Sequence, residues 1–145
     1  MVLIKSKKEI DYIRESAKIV AETLQLVKQY AKVDKTTLEL DKIAEDYILS
    51  NDAIPAFKGY SQSGAVDFPG TICASVNEEV VHGIPSNRKL VDGDLLTIDV
   101  GVNKKGYFGD AAISFAIGNV DTEKLRLCLL YTSPSPRDRT RSRMP

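Results

Sequence analysis

Two aspartates and a histidine are the residues here whose types and spacing could do chemistry. Asp99 lies in the apolar run Leu95–Val102 and Asp110 in the run Tyr107–Ile117, joined by the polar link Asn103-Lys104-Lys105-Gly106. Two such runs around a short link containing glycine predict a β-hairpin. Centred between Lys104 and Lys105, the hairpin sets Val102 opposite Tyr107 and Asp99 directly opposite Asp110. The two carboxylates then share one sheet face, with Cβ atoms ~4.5–5.5 Å apart. Like charges placed this way repel, and their apolar flanks predict that both are shielded from bulk water. Buried carboxylates need neutralising. Sharing a proton would give an acid-protease dyad. Sharing a cation would give a divalent metal site of oxygen ligands, and a two-metal centre if both acids bridge. Two acids alone do not complete the ligands of two metals. The bland alternative is a pair of exposed strand residues, or a register broken by a bulge at Gly106.

His82 is the only histidine in the chain and sits in Val-Val-His-Gly-Ile-Pro. It reads either as a satisfied turn histidine or as a proton-carrying group in the cleft of the acids. Cys73 reads as a small buried residue rather than a nucleophile. Residues 53–70 hold Pro55, Gly59, Gly64, Pro69 and Gly70 and form a long loop. Its aromatics Phe57, Tyr60 and Phe68 are more than a solvated loop needs, so it is expected to wall a binding pocket. The link Gly101–Gly106 is no phosphate loop, because no helix follows it.

Other elements must position these groups. Ser6-Lys-Lys-Glu9 and Thr36-Thr-Leu-Glu39 are capping boxes. After the first, Ile10, Ile13, Ala17, Val20, Leu24 and Val27 recur at helical spacing, predicting a helix from Lys7 to about Tyr30. After the second, Leu40, Ile43, Ala44, Tyr47 and Ile48 line another helix that stops near Asn51-Asp52. Thr71–Val76 is a strand, with turns at Asn77-Glu78 and Asp92-Gly93-Asp94. Both helices read as scaffold.

The chain has 145 residues with 20 basic and 20 acidic side chains, 43% hydrophobic and 28% charged. That composition describes one globular domain or part of one, without a bulk positive field for nucleic acid or membrane. Two cysteines, Cys73 and Cys128, are too few for a disulfide scaffold. No signal segment or membrane span is legible, and the expected compartment is the cytoplasm. Residues 131–145, Tyr-Thr-Ser-Pro-Ser-Pro-Arg-Asp-Arg-Thr-Arg-Ser-Arg-Met-Pro, carry four arginines against one aspartate. Their charge of +3 leaves −3 on residues 1–130 of a neutral chain. They read as a disordered, non-native Arg/Pro/Ser tail (128–145), joined between Leu125 and Leu129. A basic RNA-binding tail is the alternative.

The segment Phe68-Pro-Gly-Thr-Ile-Cys-Ala-Ser-Val-Asn-Glu-Glu-Val-Val-His-Gly-Ile-Pro85 resembles the pattern F-P-x-S-I-C-x-S-V-N-x-x-x-x-H-G-I-P of type I methionine aminopeptidases. Asp92-Gly-Asp94, Asp99 and Gly106-Tyr-Phe-Gly-Asp110 resemble that family's metal-binding hairpin. The resemblance covers roughly Met1 to Leu127, so residues 1–127 are expected to form the N-terminal part of the catalytic domain. It implies an α+β pita-bread fold, in which two similar halves surround a curved antiparallel sheet. It also implies hydrolytic removal of the initiator methionine from nascent polypeptides, by attack of a metal-activated water. Asp99 and Asp110 would bind two divalent metal ions (Co, Mn, Fe or Zn). His82 would be the catalytic, substrate-contacting histidine. Tyr60, Phe68 and Cys73 would line the methionine pocket. The family's remaining ligands, one His and two Glu, would lie beyond residue 127, so the chain is expected to be a truncated enzyme, inactive alone. Ribosome association and a monomeric intact protein are further expectations. Competing readings are a proline-directed peptidase of the same fold, and a non-catalytic pita-bread protein that binds ribosome or RNA.

Overall fold

The structure, a computed structural model, describes residues 4–61 and 66–126. The expected tail at 128–145 lies outside the described residues. Helix α1 spans Lys7–Tyr30 and α2 spans Thr37–Ser50; the strands are β1 (Ile54–Pro55), β2 (Ile72–Val76), β3 (Leu95–Lys104) and β4 (Tyr107–Ala116).

Both helices start at the predicted boxes. Ser6 Oγ accepts the Glu9 N–H and the Glu9 carboxylate accepts the Ser6 N–H; Thr36 and Glu39 repeat the exchange. Each box satisfies N–H groups that the first helical turn leaves open. The buried stripe of α1 is Ser16, Ile19, Val20, Thr23, Leu24 and Val27. Ile10, expected on that stripe, is exposed at 39%. The two polar members are satisfied locally: Thr23 Oγ1 donates to the Ile19 carbonyl and Ser16 Oγ to the Tyr107 carbonyl of β4. Among the described residues, no helix is long and apolar enough to cross a membrane.

The sheet is antiparallel and centred on β3. One edge of β3 pairs with β4 along its whole length; the other pairs with β1 and β2 placed end to end. Alternation then divides the sheet into two faces. Leu96, Ile98, Val100 and Val102 of β3, with Ile72, Ala74 and Val76 of β2, are buried in one core with the helices. The opposite face carries Cys73, Ser75, Thr97, Asp99, Gly101, Phe108, Asp110, Ala112 and Ser114. Thr97 and Ser114 join hydroxyls across it at 2.7 Å.

The hairpin register differs from the sequence expectation. Lys105 and Gly106 both have positive φ, 56° and 82°. They make a two-residue turn of the kind that matches strand twist. Asn103 and Lys104 therefore stay in the ladder. The Asn103 Oδ1 accepts the Gly106 N–H, and Lys104 Nζ reaches the Asn51 carbonyl. Lys104 pairs with Tyr107, Val102 with Gly109, Gly101 with Asp110, and Asp99 with Ala112. Asp99 and Asp110 are thus diagonal, not opposite. A slip of two residues preserves the face, so both still project from the same side.

Candidate metal and substrate site

The open face of the sheet carries a cavity of about 400 Å³ lined by Phe57, Tyr60, Phe68, Cys73, His82, Asp99 and Asp110. Three strands and two loops build it. β2 supplies Cys73 as the cross-strand partner of Asp99. β4 supplies Asp110. The first loop supplies the aromatics and the second supplies His82.

The aromatic loop is held in three places. Tyr60 accepts the Phe68 N–H, and Phe68 accepts the Gly59 N–H, each at 2.9 Å. Gly59 has φ 79°, which makes that narrow pairing accessible. Lys58 meets Glu45 of α2 at 2.6 Å. At the loop's far end, the buried Asp41 of α2 takes the N–H groups of Thr71 and Ile72 on one oxygen, at 2.7 and 2.9 Å. Burial pushes the Asp41 carboxyl above its ordinary value, against those two hydrogen bonds. This clamp fixes where β2 begins and hence where Cys73 points.

All six residues expected at the site from the sequence lie on this cavity. Phe57, the remaining aromatic of the loop expected to wall a pocket, lies on it as well. It rests on Gly101, where a Cβ would come within 2.6 Å of its ring. A strand glycine facing a loop aromatic was the available signal.

The electrostatics follow from the geometry. Asp99 is half-buried and its pKa rises to about 6, first from burial, then from the charge and hydrogen bonding of Asp110. The charge of His82 and the Val100 N–H act in the opposite direction. Asp99 Oδ1 is buried with no hydrogen-bond partner. Asp110 is exposed, contrary to the expectation that both acids are shielded, because nothing among the described residues covers this part of β4. Cys73 is pushed up to about 11 by burial, then by the charges of Asp99 and Asp110. It is a neutral thiol at physiological pH, as expected for a packing residue.

The donor chemistry fits a divalent cation in part. Two hard carboxylates converge on one cavity, and an orphaned oxygen on one of them lacks a counterpart. Among the described residues, no group of three or more His, Cys, Asp or Glu side chains is placed to hold a metal. The pair therefore suits a share of a ligand set.

The sequence pattern of metallopeptidase family M24 matches residues 11–131. The chain belongs to this family. Its M24 relatives include the methionine aminopeptidase of Clostridium acetobutylicum, 48% identical over 128 residues, or 88% of this chain and 49% of the relative. Methionine aminopeptidase 1 of Bacillus subtilis is 44% identical over 127 residues, again 88% and 49%. The crystal structure of methionine aminopeptidase from Rickettsia prowazekii superposes with a TM-score of 0.84 at 35% identity, covering 90% of this chain and 50% of that one. The fold is the pita-bread fold, two helices packed on an antiparallel sheet. It extends to the prolidase of Pyrococcus furiosus, with a TM-score of 0.72 at 21% identity. The M24 chain described here spans about half the length of the curated relatives it matches.

Proposed function

We propose that this chain carries the N-terminal part of a methionine aminopeptidase site, which removes the initiator methionine from nascent polypeptides. The observation that carries the proposal is the single cavity in which a neutral apolar wall adjoins an acid pair and a histidine. Phe57, Tyr60, Phe68 and the Cys73 thiol offer an unbranched, polarizable side chain a matching surface. Asp99 and Asp110 would hold divalent metal, with Co, Mn, Fe or Zn as candidates and two ions in the complete site. Bound there, the metal supplies Lewis acidity for peptide hydrolysis. His82 stands at the rim, where it can donate to or accept from the scissile amide. The hydrophobic walls exclude water around the side chain and fix its register against the acids.

The remaining ligands are not among the described residues, so this chain alone is expected to bind metal weakly and to turn over no substrate. The test is a chimera of residues 1–126 with the complementary C-terminal half of the Clostridium acetobutylicum relative. Release of methionine from Met-Ala-Ser, with Asp99→Asn and Asp110→Asn abolishing it, is the expected outcome. A chimera that cleaves before proline and ignores methionine would overturn the assignment. The ribosome is a reasonable further partner, because the substrate emerges there; co-sedimentation of the chimera with ribosomes tests that.

A further inference from the structure

His82 has φ 59°, in the left-handed region. A residue with a side chain is strained there and stays only where its surroundings over-determine it. The next residue shows how. The Gly83 N–H donates to Ser75 Oγ at 3.1 Å, and the Gly83 carbonyl accepts the Ala74 N–H at 2.8 Å. A Cβ on Gly83 would stand 2.4 Å from the Ala74 carbonyl oxygen and 2.8 Å from Ser75 Cα. The peptide is therefore pressed flat against the outer edge of β2.

Ser75 is 3% exposed and lies two residues from Cys73 on the same face. Three residues past Gly83, Ser86 is tied to α2: its N–H donates to Thr37 Oγ1, and its carbonyl accepts from the Leu38 N–H. Both of these anchors follow His82 in the chain. Before it, the Glu79 N–H donates to the Val76 carbonyl at 3.3 Å and the Glu79 carboxylate accepts the Val76 N–H at 2.8 Å, so His82 is bracketed by Glu79 and Gly83. Its neighbours do not orient it by packing, because Val80, Val81 and Ile84 are exposed at 84%, 64% and 59%.

We infer that Ser75 is a positioning residue for His82: by accepting the Gly83 N–H, its hydroxyl holds the imidazole toward the acid pair. The inference rests on the reading of His82 as the group that meets the substrate amide. Without the hydroxyl, Gly83 keeps one tie to β2. Its peptide can then rotate, and His82 can relax out of the left-handed region.

The test is solution NMR on the full 145-residue chain, where a lone histidine makes the ring signals unambiguous. In the unsubstituted chain, the Gly83 amide is expected to be protected from exchange and the His82 ring to show cross-peaks to Cys73. Ser75→Ala should leave the far-ultraviolet circular dichroism unchanged, shift the His82 ring signals to free-histidine positions and lose the cross-peaks. Ser75→Thr, which restores the hydroxyl, should return them. An unprotected Gly83 amide in the unsubstituted chain overturns the inference with no variant needed. So do Ser75→Ala ring signals that superpose on the parent's, or Ser75→Thr signals that stay where Ser75→Ala puts them. None of these readouts involves metal or turnover, so their failure is separate from failure of the peptidase assignment, which the chimera reports.

Discussion

Asp110 sits diagonally across the β3–β4 ladder from Asp99, opposite Gly101, while Ala112 occupies the place directly opposite Asp99. Ala112 is small and exposed, and the place over Gly101 is taken by the Phe57 ring. Diagonal neighbours on a sheet face are typically ~7–8 Å apart between Cα atoms, which long-range charge still spans. Asp110 accordingly raises the Asp99 pKa. Asp110→Asn should lower the Asp99 midpoint from about 6 toward its ordinary range. Carboxyl-carbon NMR titration reads this directly, and an unmoved midpoint would leave burial as the only cause.

The same shift sets a pH dependence. The folded chain binds the Asp99 proton more tightly than the unfolded chain, whose ordinary value is 3.8. Stability is therefore lost as pH rises from about 4 through about 6. Asp99→Asn removes the ionisation. It should stabilise the fold at pH 7 by roughly 1 kcal/mol once partial exposure is discounted, seen as a higher melting temperature, and change little at pH 4. Adding Mn²⁺ or Co²⁺ to the unsubstituted chain should likewise stabilise it more at pH 7 than at pH 4, and Asp99→Asn should abolish that gain. Thermal melts at both pH values check both statements.

Gly101 shows how the site was legible in part. Both helices could be read because their boxes and spacing are local, and the Ser6 and Thr36 exchanges formed as expected. The face shared by Asp99 and Asp110 could be read because strand alternation has period two. The register could not, because polarity suggested a loop at Asn103 and Lys104. What decided it was the ability of Lys105 and Gly106 to take positive φ and of Lys104 to reach Asn51. The contact of Phe57 with Gly101 escaped because the two lie 44 positions apart in the chain and no local pattern joins them. The exposure of Asp110 depends on what covers β4, which strand composition does not encode.

Gly101→Ala tests that long-range contact. The new methyl would meet the Phe57 ring at 2.6 Å and the Ala56 methyl at 3.1 Å. The ring is the group able to move, and its way out leads into the cavity. The substitution should cost about 1–3 kcal/mol as overpacking and narrow the pocket. Adding Phe57→Ala should recover part of the loss, giving a coupling energy of about 1 kcal/mol in a denaturant double-mutant cycle. Strictly additive losses would show that the ring and the strand do not touch.

Asp41 separates the need for an acceptor from the need for a charge. One of its oxygens serves the N–H groups of both Thr71 and Ile72 in a buried setting. Asp41→Ala strands two buried donors and should destabilise by about 2–4 kcal/mol. Asp41→Asn keeps a carbonyl oxygen in place and removes a carboxylate whose ionisation burial resists. Because the folded-state pKa is raised, the unsubstituted chain loses stability from this group as pH rises past its ordinary value of 3.8. Asp41→Asn should therefore gain on the parent chain between pH 4 and pH 7, while Asp41→Ala stays below it throughout. Urea melts across that range measure the difference. A parent chain that outperforms Asp41→Asn increasingly toward pH 7 would mean that the charge itself holds β2.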